Sequence, residues 1–136
     1  MHRKSVVSTA GAPEAIGPYS QGVAAGGFLF VSGQIPLDPQ SGKIVAGGIG
    51  EQVERVLENL KAILAAAHIS LQSVLKTTVY LTDLGEFPEM NAVYTRYFGS
   101  EPPARATVQV AALPRGARVE IEAVAVLARQ RLRKRP

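Results

Sequence analysis

Residues 51–67, with the sequence EQVERVLENLKAILAAA, carry the clearest periodic pattern in the chain. Apolar residues recur there every three or four positions, as in an amphipathic helix that buries one face. These residues are Val53, Val56, Leu57, Leu60, Ile63, Leu64 and Ala67. His68 follows directly. Histidine is among the residues enriched at positive φ, so we expect His68 to end the helix as a left-handed cap rather than to bind a ligand.

Segments on both sides of this helix have the composition of β-strands. They span residues 5–9, 21–25, 28–34, 74–82, 105–110 and 118–128. A second helix is predicted over residues 85–98, with Asp83 as its capping residue and Pro88 in its first turn. Six strands and two helices predict an α+β domain in which both helices pack on one face of the sheet.

Alternation along a strand assigns its side chains to two faces. On residues 28–34, one face carries Phe28, Phe30, Ser32 and Gln34, and the other carries Leu29, Val31 and Gly33. On the last strand, Glu120, Glu122, Val124 and Val126 lie opposite Val119, Ile121, Ala123, Ala125 and Leu127. Arg105, Thr107 and Gln109 share one face of their strand, whereas Ala106, Val108 and Val110 share the other, which we expect to meet the core.

Two helices leave the second face of such a sheet uncovered. That face carries Phe28, Phe30, Tyr80, Val124 and Val126, an apolar patch larger than a monomer usually exposes. We therefore expect an oligomer that buries this face. Clefts at its subunit contacts would be natural ligand sites.

Length and composition set the class of protein. A chain of 136 residues that is 46% hydrophobic and 19% charged fits one globular domain, residues 1–136. It has no cysteine, which excludes disulfides, thiolate metal sites and cysteine nucleophiles and fits a reducing compartment. No apolar run of membrane-spanning length occurs, and glycines and prolines interrupt any signal-peptide core. We expect a soluble cytoplasmic protein.

The net charge of +4 is concentrated at the ends of the chain. Residues 129–136 hold Arg129, Arg131, Arg133, Lys134 and Arg135, and Arg3 and Lys4 stand near the start. The remainder has eight basic residues against eleven acidic ones. The basic tail could contact nucleic acid. It contains no aromatic residue to stack on a base, so we expect a solvated, frayed end.

The chemically useful side chains are few. Arg105 offers a planar fork of donors that matches a carboxylate, although an exposed or salt-bridged strand arginine is the alternative interpretation. Glu120 and Glu122 stand about 6.5–7 Å apart on one side of one strand. The two histidines, His2 and His68, do not fit a metal cluster or a Ser-His-acid set. This inventory suits binding of an anionic acid and transfer of one proton to or from water.

Five motifs in this order resemble the RidA family, also known as the YjgF family. They are Ile16-Gly17-Pro18-Tyr19, Val31-Ser32-Gly33-Gln34-Ile35-Pro36, Lys76-Thr77-Thr78-Val79-Tyr80-Leu81, Pro103-Ala104-Arg105 and Val119-Glu120-Ile121-Glu122-Ala123. The resemblance covers nearly the whole chain. It implies a chorismate-mutase-like α+β fold, a homotrimer with its sheets around a central barrel, and three clefts between subunits. It also implies hydrolysis of 2-imino and enamine acids, released by pyridoxal-phosphate dehydratases, to 2-oxo acids and ammonia without a cofactor.

The resemblance also implies roles for individual residues. Arg105 would bind the substrate carboxylate, and Glu120 would orient or activate the attacking water. The cleft would be lined by Tyr19, Ser32, the backbone of Gly33 and Thr107. Thr107 replaces the family's cysteine at a position that contributes mainly its backbone, so we expect the site to tolerate the change, with a shift at most in substrate range. The loop before Pro103 is shorter than in the family archetype and borders the cleft, so it bears on substrate size.

Two other functions compete with the imine deaminase. One is an endoribonuclease or translation inhibitor, a role also described for relatives, for which the basic tail is the only support in the sequence. The other is a non-catalytic ligand-binding or chaperone-like trimer, because binding an acid through Arg105 does not require turnover. The sequence identifies neither the physiological imine nor the dehydratase that supplies it.

Overall fold

The computed structural model describes residues 3–127, which form a single six-stranded sheet with two helices. The strands are β1 Ser5–Val7, β2 Gly22–Ala25, β3 Phe28–Gln34, β4 Val74–Leu81, β5 Ala104–Gln109 and β6 Val119–Val126. The helices are α1 Ile49–Ala66 and α2 Phe87–Phe98, and short 3-10 turns occur at Leu71–Ser73, Leu84–Glu86 and Pro114–Gly116. The predicted α+β class, with six strands and two helices, is confirmed. The basic tail at residues 129–136 lies outside the described residues.

The strand order is β1-β2-β3-β6-β4-β5, so β5 forms one edge of the sheet. The pair β4 and β5 is parallel, whereas every other neighbouring pair is antiparallel. Parallel neighbours need a long crossover connection, and α2 supplies it. This connection places α2 directly against the strand that carries Arg105.

Both helices pack on one face of the sheet and form the core there. The apolar stripe predicted for α1 is buried, and it packs against alternate residues of β3, β4 and β6. The core strand residues are Leu29, Val31, Val74, Val79, Leu81, Val119, Ile121, Ala123 and Ala125. Within residues 3–127, no helix has the length and apolar content that a membrane crossing requires.

The predicted end signals of the helices are confirmed. His68 has φ 64°, and its N–H donates to the carbonyl of Ala65, which closes the last turn of α1. The Asp83 carboxylate accepts a hydrogen bond from the Gly85 N–H at 2.8 Å. That cap begins a 3-10 turn, so α2 itself starts at Phe87 rather than at residue 85.

A bulge in β3 corrects the predicted faces of that strand. Phe28 to Val31 pair with Val126 to Ala123 in a constant register, but Gln34 pairs with Ile121, which inserts one extra residue into β3. Gln34 is therefore buried on the core side with Ile121, instead of sharing the face of Phe28 and Phe30. The predicted face of Gly33 is also wrong, because Gly33 lies against the side chain of Glu120.

The predicted orientation of β5 is wrong as well. Arg105 pairs with Thr77 and Thr107 pairs with Val79, both of which are buried on the helix side. Arg105 and Thr107 therefore point toward α2, whereas Ala106 and Val108 lie on the open face. A strand at the edge of the sheet can turn a long polar side chain toward the helix layer, because the guanidinium reaches the margin of that layer.

The second face of the sheet is open, as predicted. Phe30 is 50% exposed and Val108 is 42% exposed, and both belong to this face. Tyr80 and Glu120, a cross-strand pair of β4 and β6, lie on it too. The sheet thus has one face packed against the helices and one face that residues 3–127 leave uncovered.

Candidate active site

The Arg105 side chain lies between the sheet and α2. Its Nη1 donates to Asn91 Oδ1 at 2.8 Å. Its Cζ lies 4.7 Å from the ring centre of Tyr94 and 5.4 Å from that of Phe87. No carboxylate within residues 3–127 is within 4.0 Å of the guanidinium. Its positive charge is therefore not matched inside the described part of the chain.

The hydroxyl of Thr107 lies on the same side of the sheet as Arg105. Its Oγ1 is buried and makes no hydrogen bond within residues 3–127. Such a group normally finds a partner when it is removed from water. The Thr107 hydroxyl is therefore a buried polar group without a hydrogen-bond partner in residues 3–127, and it lies on the same strand as the Arg105 cation.

Glu120 lies on the opposite face, pressed against the backbone of β3. A Cβ atom on Gly33 would stand 1.9 Å from Oε2 of Glu120 and 2.8 Å from its Cδ. Only a residue without a side chain leaves room for the carboxylate there. The bulge at residues 32–33 puts glycine on this face, so one backbone irregularity defines where the Glu120 carboxylate can sit.

Burial raises the pKa of Glu120 above its ordinary value, and the neighbouring charge of Glu122 raises it further. Glu122 itself accepts a hydrogen bond from the Tyr80 hydroxyl at 3.2 Å. The two carboxylates are thus in different environments, one half-buried against a glycine and one held by a phenol. A raised pKa makes a carboxylate a stronger proton acceptor, which suits Glu120 to act as a base.

Tyr19 and Ser32 lie on the Glu120 side of the site. Tyr19 is 50% exposed and lines a small cavity together with Gly33. The Ser32 hydroxyl donates to the Ser20 carbonyl at 2.5 Å, which fixes the segment that displays Tyr19. Ser32 is therefore occupied by the backbone of its own chain.

The Gln21 side chain fixes the same segment through hydrogen bonds to its backbone. It is buried, and its amide donates to the carbonyls of Thr9, Ala12 and Pro13 and accepts from the Thr9 N–H. These bonds determine the course of the loop that ends at Tyr19. A glutamine that begins a predicted strand gave no signal of this role in the sequence.

The structure divides the predicted site residues into two groups. Tyr19, Gly33 and Glu120 come together on one side, and Arg105 and Thr107 come together on the other side of the same sheet. The salt bridge that was the alternative interpretation of Arg105 does not form within residues 3–127, and Glu120 lies on the other face. Neither group alone can hold a carboxylate and activate water next to it.

Sequence reasoning missed the partners of Arg105 on α2. Phe87, Asn91 and Tyr94 follow one another at spacings of four and three, so they share one helix face. That spacing is the signal in the sequence that could have revealed the set. Within residues 3–127, no group of three or more acidic or histidine side chains is arranged to hold a metal ion.

Comparison with known proteins gives the family. The sequence model described as Endoribonuclease L-PSP matches residues 9–127. A RutC family protein of Pyrococcus horikoshii is 55% identical over 122 residues, which are 90% of this chain and 97% of that protein. A human protein named 2-iminobutanoate/2-iminopropanoate deaminase is 51% identical over 123 residues, which are 90% of each chain.

Solved structures agree with the sequence comparison. The crystal structure of Escherichia coli TdcF with bound serine matches with a TM-score of 0.86 and 46% sequence identity, covering 91% of this chain and 99% of that one. The fold, the site motifs and the relatives therefore lead to one conclusion. The chain belongs to the RidA family, the family whose sequence model carries the description Endoribonuclease L-PSP.

Proposed function

We propose that the protein hydrolyses reactive 2-imino and enamine acids, such as 2-iminobutanoate and 2-iminopropanoate, to 2-oxo acids and ammonia. The observation that carries this proposal is the Arg105 guanidinium, whose contacts within the described residues are all neutral. A cation in this state is suited to a monocarboxylate ligand. The proposed reaction needs no cofactor, and we expect it to take place in the cytoplasm.

The relatives support this choice of substrate. The human relative carries the name of a deaminase for two small 2-imino acids, and the TdcF structure contains serine, a small amino acid. The Pyrococcus protein carries a family name without an activity. Similarity therefore supports the small 2-imino acid class, and the site chemistry supports hydrolysis.

The reaction requires one water and one proton acceptor. Arg105 would bind the substrate carboxylate, and Glu120 would accept a proton from water as the water oxygen bonds to the imine carbon. Glu120 passes that proton to the imine nitrogen, which gives a carbinolamine with one hydroxyl and one amino group. Glu120 then accepts the hydroxyl proton and transfers it to the amino group, so that the carbon–nitrogen bond breaks, ammonia leaves and the carbonyl of the 2-oxo acid forms.

The two groups of site residues would meet between copies of the chain. Arg105 and Glu120 lie on opposite faces of one sheet, so a single copy cannot present both to one small substrate. A homotrimer that buries the open face would set Arg105 of one copy opposite Glu120 of the next, in each of three clefts. The exposed Phe30 and Val108 supply apolar area for that contact.

Substitutions of Arg105 test whether this residue binds the substrate carboxylate. We expect Arg105→Lys to lose most activity and Arg105→Ala nearly all of it, because an ammonium cannot reproduce the bidentate contact. The measurement is ammonia release from 2-iminobutanoate generated in place by a threonine dehydratase, corrected for spontaneous hydrolysis. Light scattering serves as the control, since the oligomer should persist. Full turnover by Arg105→Ala would place the anchor elsewhere.

Substitutions of Glu120 and Glu122 should have different effects on turnover and on its pH profile. Glu120→Gln should lose roughly 10²- to 10⁴-fold in turnover, the range for a general base. Glu122→Gln should remain active, and its acid limb in kcat/KM should move to lower pH, because removing the Glu122 charge lowers the pKa of Glu120. Burial still acts, so the limb should stay above the ordinary pKa of 4.5.

Turnover by Glu120→Gln combined with a dead Glu122→Gln would reverse the assignment. A limb that moves to higher pH in Glu122→Gln would also contradict it.

Gly33 tests whether the position of the Glu120 carboxylate matters. Gly33→Ala should displace that carboxylate and reduce kcat by roughly 100-fold, as expected when a reacting group is moved by about 1 Å. Gly50→Ala in α1 is a matched control, because its added Cβ would find its nearest neighbour at 3.4 Å. Melting temperatures of both variants should stay near that of the wild type. Unchanged kcat in a folded Gly33→Ala protein would show that Glu120 need not occupy this place.

A further inference from the structure

Arg105 and Arg118 are held in opposite ways. Arg118 pairs with the carboxylate of Glu86, an ordinary structural ion pair. Arg105 lies instead in a cage of three neutral side chains, Phe87, Asn91 and Tyr94, which we name the Arg105 cage. One of these accepts a hydrogen bond, and the other two present aromatic rings to the guanidinium.

Tyr94 is the most firmly fixed member of the Arg105 cage. Its hydroxyl and Thr77 Oγ1 share a hydrogen bond of 2.7 Å, and both residues are buried. Thr77 is also the strand neighbour of Arg105, so the ring is tied to the same part of the sheet as the arginine it contacts. The position of the Tyr94 ring relative to the guanidinium is therefore fixed by the sheet.

The cage leaves the charge of Arg105 intact. Burial raises the pKa of Tyr94, so its hydroxyl remains a neutral phenol and does not act as a counter-ion. A ring face attracts a cation through its quadrupole without neutralising it. A carboxylate partner would hold the arginine too, but it would compete with an incoming anion.

We propose that Tyr94 and Phe87 are positioning residues that hold the Arg105 guanidinium flat and uncompensated for one incoming carboxylate. This inference rests on the proposed function in one respect, since it takes Arg105 as the anchor for the substrate. It adds that the anchor is shaped by aromatic stacking. Lysine at residue 105 would lose the stacking as well as the fork of donors.

The test measures binding of 2-oxobutanoate, the product of the proposed reaction, to the assembled protein by calorimetry. Tyr94→Leu should weaken binding by roughly 3- to 30-fold, which corresponds to the range for cation–π contacts. Phe87→Leu should weaken it by less, because its ring is farther from Cζ. Tyr94→Phe keeps the ring and loses only the hydrogen bond to Thr77 that helps to fix it, so it should weaken binding less than Tyr94→Leu does.

Tyr97→Leu is the matched control. Tyr97 lies on the same helix, but its ring faces Lys61 and its hydroxyl donates to Glu58, away from Arg105. It should lose stability without losing affinity for 2-oxobutanoate. The neutral analogue 2-oxobutanamide is a second control, because a cage that acts on charge should leave its weak binding unchanged in Tyr94→Leu.

A double-mutant cycle completes the test. In an Arg105→Lys background, Tyr94→Leu should cost much less than in the wild type, because the ammonium has no planar fork of donors for the ring to orient. Equal losses in both backgrounds, or equal losses in Tyr94→Leu and Tyr97→Leu, would overturn the inference. If Tyr94→Leu fails to fold, Phe87→Leu carries the same comparison.

The outcome distinguishes this inference from the proposed function. Wild-type affinity in Tyr94→Leu and Phe87→Leu, together with lost affinity in Arg105→Ala, would overturn only the cage. Wild-type affinity in Arg105→Ala would overturn the anchor itself.

Discussion

Within residues 3–127, two helices cover only one face of a six-stranded sheet, and the rest of this structure depends on the difference between the covered face and the open one. The covered face is a closed core, in which α1 and α2 bury alternate residues of β3, β4 and β6. The other face keeps aromatic and aliphatic side chains in water, which costs free energy unless another surface covers them. The two faces also separate the two candidate reactive residues, because strand alternation places Arg105 on the helix side and Glu120 on the open side.

In the proposed site, Arg105 and Glu120 each owe their properties to a group that is missing beside them. Arg105 has no carboxylate partner among the described residues, so its charge remains available, and the rings of Tyr94 and Phe87 hold it in place. Glu120 rests on Gly33, where the absence of a side chain gives it room, and burial there raises its pKa.

Much of the fold could be predicted from the sequence, because periodicity and local end signals are properties of short segments. The stripe of α1, the αL residue His68 and the Asp83 cap all depend on neighbours within a few positions. The faces of β3 and β5 could not be predicted in this way. A bulge changes alternation by one residue, and an edge strand can place a long arginine toward the helix layer, so both depend on contacts far apart in sequence.

The candidate site could likewise be predicted only in part. The residues Arg105, Glu120, Tyr19 and Gly33 were identified through motifs, but their separation onto two faces needed the register of the whole sheet. Asn91 and Tyr94 were missed because their role appears only when α2 is laid across β5. Aromatic residues on a helix face are usually core, and here Tyr94 is both core and contact to the cation.

In the proposed trimer, each cleft takes Arg105 from one subunit and Glu120 from its neighbour. Arg105→Ala and Glu120→Gln proteins, each inactive alone, can be unfolded, mixed in equal amounts and refolded together, with mixed oligomers verified by native mass spectrometry. Random assembly into trimers should return about one quarter of wild-type ammonia release, since one cleft in four receives both intact residues. Mixed trimers with no more activity than the parent proteins would show that the two residues do not meet between subunits.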